Sequence, residues 1–460
     1  MRRSTPSVIA LALAALLSPN ARALDLVDVW RAAVGHDAEF AAARAARAAG
    51  EARRTQAGAV WRPSLVLEAG AGLATNETAV RGARFSAPGF GQTDGVSFAT
   101  SVTNGRSRRV GLELRQPLVS REREVRQRQL EISADFAEAQ WHDAQQSLML
   151  RSAERYFDAA LAAEELQLLA RQQAAVDRAH VEARDRFRIG DRPVTDTHEA
   201  AARAAGLAAQ RLAAATGLEL KNAALAAISG LAIGAQRLPV PAAGRSPEAL
   251  DSLQAWLDAA MRGSPVVRLA EAQLRLAEEE ARKTDAALSP SLDLVAQVGR
   301  DRLSGSGDFG SASNRANTGA LGLQLSVPLY TGGMRSAQQT EAQARLAQAV
   351  AELESTRRQL ALRTHGAWLE LSIGATRTAA LEAALEASRA RLDATRVGLG
   401  AGDRTTLDLL NAENDLNAAD LALLNARTGL LLGALRLATL AGRLDEARLQ
   451  QVNALLQPSR

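Results

Sequence analysis

The apolar positions of this chain follow a helical spacing over two unusually long stretches. Residues 118–189 contain neither glycine nor proline, and at 1.5 Å per residue they can form one helix of roughly 100 Å. Their apolar residues recur at spacings of four and three, as in a coiled coil: Leu130, Ala134, Ala137, Trp141, Ala144 and Leu148. Residues 334–397 predict a second long helix, although Gly366 and Gly374 lie within it, with an apolar stripe at Leu346, Val350, Leu353 and Leu360.

Four further stretches alternate apolar and polar positions with a period of two, which predicts β-strands with one apolar face. Their apolar residues are Leu65, Leu67, Ala69, Ala71 and Leu73; Val110, Leu112 and Leu114; Leu292, Leu294, Ala296 and Val298; and Leu321, Leu323, Leu325 and Val327. We expect two hairpins, over 64–117 and 291–328, with strands of about 7–11 residues, the length of a tilted transmembrane strand. The segments 76–107 and 301–318 are rich in Gly, Ser and Asn, and we expect them to be exposed loops.

The same order of elements occurs twice, which predicts two copies of one folding unit. Trp30 and Trp256 each begin a helical pattern, and Gly190 to Asp196 matches Gly402 to Asp408. Each copy is predicted to contain a helix, a strand hairpin, a very long helix, a sharp turn (at 190–196 or 399–408) and a further helix. The predicted divisions of the chain are a first repeat at 24–228, a connector at 229–247, a second repeat at 248–442 and a C-terminal tail at 443–460.

Four strands with an apolar face are too few to close a barrel by themselves. A lipid bilayer does not tolerate open strand edges, because their backbone groups would lack hydrogen-bond partners. A membrane-facing sheet of this kind therefore predicts an oligomer whose copies pool their strands. The alternatives are a small soluble sheet with one solvent-exposed face and an ordinary soluble helical bundle. The long helices that flank both hairpins favour the barrel.

The ends and the composition restrict the compartment. Arg2 and Arg3, the apolar run 8–17 and the small residues at Ala21 and Ala23 predict a secretory signal peptide at 1–23 that is cleaved on export. No uncharged stretch is long enough to cross a bilayer, so we expect no membrane-spanning helix. The absence of cysteine excludes disulfides, thiolate metal sites and a lipid anchor on cysteine. The formal net charge is +4, and residues of both signs are interspersed along the chain. We find no nucleic-acid-binding pattern.

No motif predicts an enzyme, a cofactor or a metal site. The histidines are scattered, and His198 and Glu199 are not followed by a second histidine at the spacing of the H-E-x-x-H zinc motif. Gly332 and Gly333 are followed by Met334 rather than by the lysine of a phosphate-binding loop, so we interpret them as a turn. We therefore expect a non-enzymatic protein that takes its energy from partners.

Two motifs resemble those of the TolC family of outer-membrane efflux and secretion ducts, in its non-lipidated form. Residues 323–334 (LQLSVPLYTGGM) look like the strand-to-helix signature of that family, and residues 400–413 (GAGDRTTLDLLNAE) are the second motif. The resemblance extends over 24–444 with both repeats in register. The strand-to-helix turns are predicted at Pro117, Pro328, Gly332 and Gly333, with Pro117 starting the first long helix because proline needs no N–H there.

The resemblance implies an α+β membrane protein of the outer membrane that forms a homotrimer. Three copies with four strands each would form a twelve-strand barrel in the outer-membrane lipid, and their long helices would continue it into the periplasm as a hollow α-helical barrel. The middle segment, 218–247, and the tail after Gly442 would form a collar. The implied partners are a periplasmic adaptor protein and an inner-membrane pump, either an ABC transporter or a proton-driven pump.

The resemblance also gives functions to the turns at the ends of the long helices. In the family these turns close the tunnel and dock the adaptor, and the matching residues are Gly190, Asp191, Arg192, Gly402 and Asp403. Asp408 matches a tunnel-facing aspartate at the periplasmic constriction, and three copies of it would form an anionic ring. Asn411 stands at the second ring position, so we expect this ring to be less acidic than in the family.

Arg404 matches the tip arginine of the family, and Asp196 matches the partner of that arginine at the other helix–turn–helix tip. We therefore expect this pair to latch the closed state. Leu399 stands where the family has a latch tyrosine and cannot donate a hydrogen bond. Exposed ion pairs stabilise a structure by about 0.2–1 kcal/mol each. A gate closed by such pairs is weak enough for adaptor binding to open it. The alternative is plain helix-end stabilisation, in which Thr195 caps its helix, Asp196 favours the helix dipole and Asp408 acts likewise in the second repeat.

These observations predict the exit duct of a cell-envelope export machine. The preferred function is type I secretion of a large polypeptide such as a toxin, because many dedicated drug-efflux ducts of the resembled family carry a lipidated cysteine and this chain has none. The alternatives are small-molecule efflux and, in another class of protein, a coiled-coil envelope scaffold without a pore.

Overall fold

The computed structural model describes residues 24–89, 91–191, 193–233, 238–242, 250–286, 289–308 and 310–457. The predicted signal peptide, Arg192 and part of the predicted connector lie outside these residues.

The two halves of the chain contain the same order of elements. The first half holds α1 (Leu26–His36), α2 (Ala38–Ala59), β1 (Ser64–Ala87), β2 (Gly91–Val119), α3 (Arg121–Arg188) and α4 (Val194–Ser229). After the short strand β3 (Val240–Pro241), the second half holds α5 (Leu253–Gly263), α6 (Pro265–Ala286), β4 (Ser291–Gly307), β5 (Gly310–Ser326), α7 (Met334–Ala401) and α8 (Thr406–Leu440). The chain continues with α9 (Glu446–Ala454) and β6 (Leu456–Gln457).

The chain divides into two compact units, and each unit combines segments of both halves. One unit contains the segment up to Ala49, Phe136–Glu271 and the segment from Ala351 onward. The other contains Gly50–Asp135 and Ala272–Val350, which include the long strands. Neither half of the sequence is therefore a compact unit by itself.

The four long strands form one antiparallel sheet in the order β1-β2-β4-β5. The central pairing joins the two halves, with Leu112 of β2 opposite Val298 of β4. The strands contain 24, 29, 17 and 17 residues, so the expected strand length was too short. The expected loops 76–107 and 301–318 belong largely to the strand ladder instead. Strand pairing depends on backbone hydrogen bonds, so small polar residues extend the ladder as well as apolar ones do.

One face of this sheet carries the apolar residues predicted from the alternation. One row across the four strands consists of Leu65, Leu114, Ala296 and Leu321, and the next consists of Leu67, Leu112, Val298 and Gly319. We call this surface the leucine face. Leu65 and Leu321 keep 66% and 74% of their surface exposed in the single chain. The edge strands β1 and β5 of this sheet have no outer neighbour among the described residues, and an exposed apolar face with open edges is typical of an interaction surface.

The two strand-to-helix junctions differ from each other and from the expectation. Pro117 does not begin α3, because β2 continues to Val119 and pairs Pro117 with Asp293. The helix begins at Arg121 instead, after Ser120, whose hydroxyl accepts a hydrogen bond from the third following N–H at 3.3 Å. A serine side chain at this position satisfies a helix N–H that would otherwise lack a partner.

The second junction turns at two of its three predicted residues, Gly332 and Gly333. Pro328 lies in the irregular segment between β5 and α7. Gly332 and Gly333 follow with φ angles of +62° and +82°, and α7 begins directly after them at Met334. Glycine adopts such angles without the steric penalty of a side chain, so this junction turns at the glycines and not at the proline.

A buried apolar cluster forms the core of the first unit. Its large members are Leu26, Leu148, Tyr156, Phe157, Leu225, Leu435 and Leu449. The Tyr156 hydroxyl donates to the carbonyl of Pro239 at 3.0 Å, and burial raises the pKa of this phenol. Val240 of β3 pairs with Gln457 of β6. The middle segment and the tail, both assigned to the expected collar, are therefore hydrogen-bonded to each other.

Five of the ten predicted stripe residues of the two long helices are buried in the single chain, and four more are half-buried. Ala134, Ala137 and Leu148 of α3 and Leu353 and Leu360 of α7 are buried, whereas Val350 of α7 is 51% exposed in the single chain. Gly366 and Gly374 do not interrupt α7, which is continuous.

One described helix, α8, is long and apolar enough to cross a membrane when only its length and composition are considered. A core helix has the same properties. Nearly half of its most apolar stretch (44%) is buried, and Leu431 and Leu437 lie in two apolar clusters. We therefore describe α8 as a core helix of its unit.

Candidate functional site

Most of the predicted functional residues lie in two turns that follow the long helices, and Asn411 lies further along the helix after the second turn. The first tip, residues 189–196, joins α3 to α4, and the second tip, residues 402–408, joins α7 to α8. Gly190 and Gly402 occupy equivalent places, with φ angles of +79° and +85°. An alanine Cβ at either position would meet no other atom within 4 Å, so the backbone angle alone requires glycine.

Both long helices end with the same pair of backbone hydrogen bonds. In the first tip, the N–H of Gly190 donates to Phe187 and the N–H of Asp191 donates to Arg186, both at 2.9 Å. In the second tip, Gly402 donates to Leu399 at 3.2 Å and Asp403 donates to Gly398 at 2.9 Å. These bonds form the Schellman motif, which satisfies carbonyls that would otherwise be unpaired at a helix end. The matching sequence motifs therefore fold into matching turns.

The start of the following helix distinguishes the second tip. Thr405 is the N-cap of α8, and its hydroxyl accepts from the N–H of Asp408 at 3.1 Å. The carboxylate of Asp408 accepts in return from the N–H of Thr405 at 2.9 Å. This reciprocal arrangement is a capping box. The hydrogen bonds from Thr405 lower the pKa of the Asp408 carboxyl, and the positive charges of Arg404 and Arg391 lower it further.

The first tip has no equivalent cap. Pro193 is the N-cap of α4 and forms no side-chain capping bond. Thr195, which we expected as a cap, lies inside the helix, and its hydroxyl is 3.5 Å from a carboxylate oxygen of Asp196. Arg186 lies 4.0 Å from Asp191 across the turn. The helix-end role proposed as the alternative therefore applies to Asp408 and not to Thr195.

No hydrogen bond or ion pair joins the side chains of Arg404 and Asp196, both of which are described, within one chain. The backbone N–H of Arg404 donates to Gly398 at 3.2 Å, and the aliphatic part of its side chain lies close to that glycine. The expected latch between these residues is therefore absent within one chain.

Asn411, the predicted second ring residue, faces α4. Its side-chain oxygen accepts from Nη2 of Arg203 on α4 at 2.6 Å. The neighbouring Leu410 is buried against Val176 and Ala179 of α3. The other terminal nitrogen of Arg203 is buried without a hydrogen-bond partner. A cation therefore lies beside Asn411, the residue predicted at the second ring position.

Arg203 was missed in the sequence analysis. It is one of two arginines in an alanine-rich helix, and no motif singles it out. The only feature that could have identified Arg203 is the contact between α4 and α8, which depends on how the helix pairs α3–α4 and α7–α8 pack. The described residues contain no group of three or more His, Cys, Asp or Glu side chains that could hold a metal ion.

Comparisons with known proteins agree with this architecture. The family described as outer membrane efflux protein matches residues 30–231 and 256–443, which correspond closely to the two halves.

Three relatives match nearly the whole chain. The outer membrane protein TolC of Vibrio cholerae is 26% identical over 99% of this chain and 99% of its own length. The proteases secretion protein PrtF of Dickeya chrysanthemi is 28% identical over 99% and 96%. The alkaline protease secretion protein AprF of Pseudomonas aeruginosa is 30% identical over 95% and 89%.

The fold is also that of a solved outer membrane protein. The crystal structure of VceC from Vibrio cholerae superposes with a TM-score of 0.69 over 92% of this chain and 97% of that one, at 21% identity. The likeness at this identity concerns the fold.

Proposed function

The chain belongs to the outer membrane efflux protein family, and we propose that it is the exit duct of a type I secretion machine for a large polypeptide, such as a toxin. The resemblance to TolC that the two motifs indicated is confirmed. Members of this family are outer-membrane channels, and the family and the fold are not those of an enzyme. The proposal concerns the cargo, the assembly and the gate.

The observation that carries the cargo proposal is the full-length similarity to two proteins named for protease secretion, PrtF and AprF. The absence of cysteine agrees with it, because no lipid can be attached to the chain through a thioether. A duct for polypeptides would work with an ABC transporter in the inner membrane and with a periplasmic adaptor docked on the two tips.

The leucine face and the two open edges support a homotrimer. Lipid covers an exposed apolar strand face without penalty, whereas water does not. The edges β1 and β5 need strands of other copies, because unpaired backbone groups are costly in lipid. Three copies would close a twelve-strand barrel, and the long helices would line the periplasmic part of the duct. A scaffold without a pore would have no use for this sheet.

The proposed gate consists of the Asp408 ring, the Arg203–Asn411 pair behind it and the contact between Arg404 and Asp196 of neighbouring copies. Exposed ion pairs are weak, about 0.2–1 kcal/mol each, so adaptor binding can open such a gate. Arg404→Ala should raise the conductance of the protein in planar bilayers, with Arg358→Ala, an exposed arginine elsewhere on α7, as the control. Equal conductance in both variants would exclude the latch.

A deletion strain tests the cargo. We expect one large protein to disappear from the culture medium, while sensitivity to dyes, detergents and antibiotics stays unchanged. The description of the family as efflux proteins favours the second candidate, small-molecule efflux. That function predicts the reverse result, namely broad sensitisation with a normal set of exported proteins.

A further inference from the structure

The leucine face changes from apolar to cationic along the strands. Two positions beyond Leu112 along β2 comes Val110, opposite Arg300 of β4. Two positions further, Arg108 of β2 lies opposite Arg302 of β4, which lies opposite Arg315 of β5. Side chains alternate between the faces of a sheet, so these three arginines lie on the same face as the leucines. We call them the arginine row.

No carboxylate lies on this face near the arginine row. The three successive rows, from the leucines outward, are Ala69, Val110, Arg300 and Asn317; Ala71, Arg108, Arg302 and Arg315; and Leu73, Arg106, Ser304 and Ser313. The side chains of the arginine row are exposed, and among the described residues none of them forms an ion pair. This part of the face therefore carries positive charge only.

The opposite face of the same strands shows that this arrangement is not a general property of the sheet. Arg109, the neighbour of Arg108, points to the other face and forms an ion pair with Asp301 at 2.6 Å. Like charges directly opposite each other destabilise a sheet. The arginine row is thus unfavourable within the chain, and an external anion would relieve that repulsion.

We propose that the arginine row binds the phosphate groups of lipid headgroups where the apolar layer of the membrane ends. This inference rests on the proposed function, in which the leucine face contacts lipid. A lipid satisfies both parts of the surface at once, because its chains cover the leucines and its phosphate meets the guanidinium groups. A free anion or a soluble acidic protein would leave the leucines uncovered.

The geometry suits phosphate. Neighbouring strands are about 4.8 Å apart, so three arginines in register place their forked donors along one line across the sheet. A guanidinium group binds phosphate oxygens through two parallel hydrogen bonds, which a lysine cannot do. Long arginine side chains also extend along the sheet from the apolar layer towards the polar headgroups.

The test measures lipid binding to the full-length protein purified in an uncharged detergent. Native mass spectrometry would follow a titration with bisphosphorylated lipid A and, separately, with the same lipid lacking both phosphates. The variant is Arg108→Gln, Arg302→Gln and Arg315→Gln together. The control removes the same charge from the exposed side of α7, with Arg345→Gln, Arg358→Gln and Arg363→Gln.

We expect the arginine-row variant to bind the phosphorylated lipid about 100-fold more weakly, at roughly fivefold per arginine near a membrane surface. The α7 control should bind as the unchanged protein does, and the phosphate-free lipid should bind all three proteins equally weakly. If the triple variant does not assemble, Arg302→Gln alone, at the centre of the row, should show a loss of about fivefold.

Two results would overturn the proposal. One is equal binding of the phosphorylated lipid by the arginine-row variant and the control. The other is displacement of bound lipid A by millimolar inorganic phosphate as effectively as by further lipid A, which would show that the site binds free anions. Conductance in planar bilayers separates this test from the proposed function. A protein that forms no pore contradicts the duct, whereas a pore without headgroup preference contradicts only the arginine row.

Discussion

The two tips start from similar sequences, share one turn and differ in the helix start that follows. Both end their long helix with a glycine at positive φ and a Schellman pair of hydrogen bonds. The second tip then closes with the capping box of Thr405 and Asp408. The first tip has Pro193 at the same place and no side-chain cap. The N-cap residue, Thr405 or Pro193, therefore decides whether a side-chain cap at the start of the following helix is added to the Schellman motif at the end of the preceding helix.

The chemistry of that residue explains the difference. A capping box needs a side-chain oxygen and a backbone N–H at the N-cap. Threonine supplies both, whereas proline supplies neither. Asp196 stands at the position in α4 that Asp408 occupies in α8, so the first tip keeps the aspartate without the partner that would use it. We infer that the second tip is the stiffer of the two.

The largest expected effect concerns what the tips share. Gly190→Ala and Gly402→Ala should each destabilise their tip by about 1–2 kcal/mol, because alanine is strained at positive φ. The effects should be equal, since neither new Cβ would meet another atom within 4 Å. Hydrogen exchange of the tip peptides, followed by mass spectrometry, measures both. A clear inequality would show that the two turns are not equivalent.

The next effect separates the tips. Thr405→Ala should destabilise the start of α8 by about 1 kcal/mol, because it removes the cap. Thr195→Ala is the matched control in the first tip and should change little, since the Thr195 hydroxyl caps no N–H. Amide exchange in the first turns of α4 and α8 compares the two variants. Equal losses would contradict the assignment of the capping box.

A smaller gain should make the first tip resemble the second. Pro193→Thr supplies the missing hydroxyl and N–H to Asp196 and should stabilise the start of α4 by roughly 0.5–1 kcal/mol. Pro193→Ala is the control, because it restores the N–H without the oxygen. Slower amide exchange in α4 for threonine than for alanine is the expected result. Identical exchange would mean that the geometry of the first tip prevents capping.

The smallest expected effect is a dependence on pH at the second tip. The pKa of Asp408 is lowered from its ordinary value of 3.8, so the carboxylate stabilises the folded tip above that value. This stabilisation should be lost as the pH falls through the lowered pKa. Exchange corrected for its intrinsic pH dependence, compared at pH 5 and pH 3, should reveal it in α8. Asp408→Asn should abolish the difference, and a difference that persists in this variant would assign it to another group.

Local patterns predicted much of this protein and failed at particular places. The glycine turns, the two long helices and the apolar face of each strand follow from neighbouring residues, and the structure contains them. Pro117 misled because a proline can lie near the end of a strand as well as begin a helix, and the pairing with Asp293 decides between these possibilities. The long strands were missed because their outer parts hold small polar residues, which pair only when a partner strand is present.

The sequence by itself determined the periods of the helices and strands, the place of each glycine turn and the order of elements in the two halves. These properties depend on backbone sterics and on contacts between residues close in sequence. The tertiary structure alone decided that β2 pairs with β4, that Arg203 meets Asn411 and that Arg108, Arg302 and Arg315 form one row. These contacts join residues far apart in the chain, and their register is set by the packing of whole strands and helices against each other.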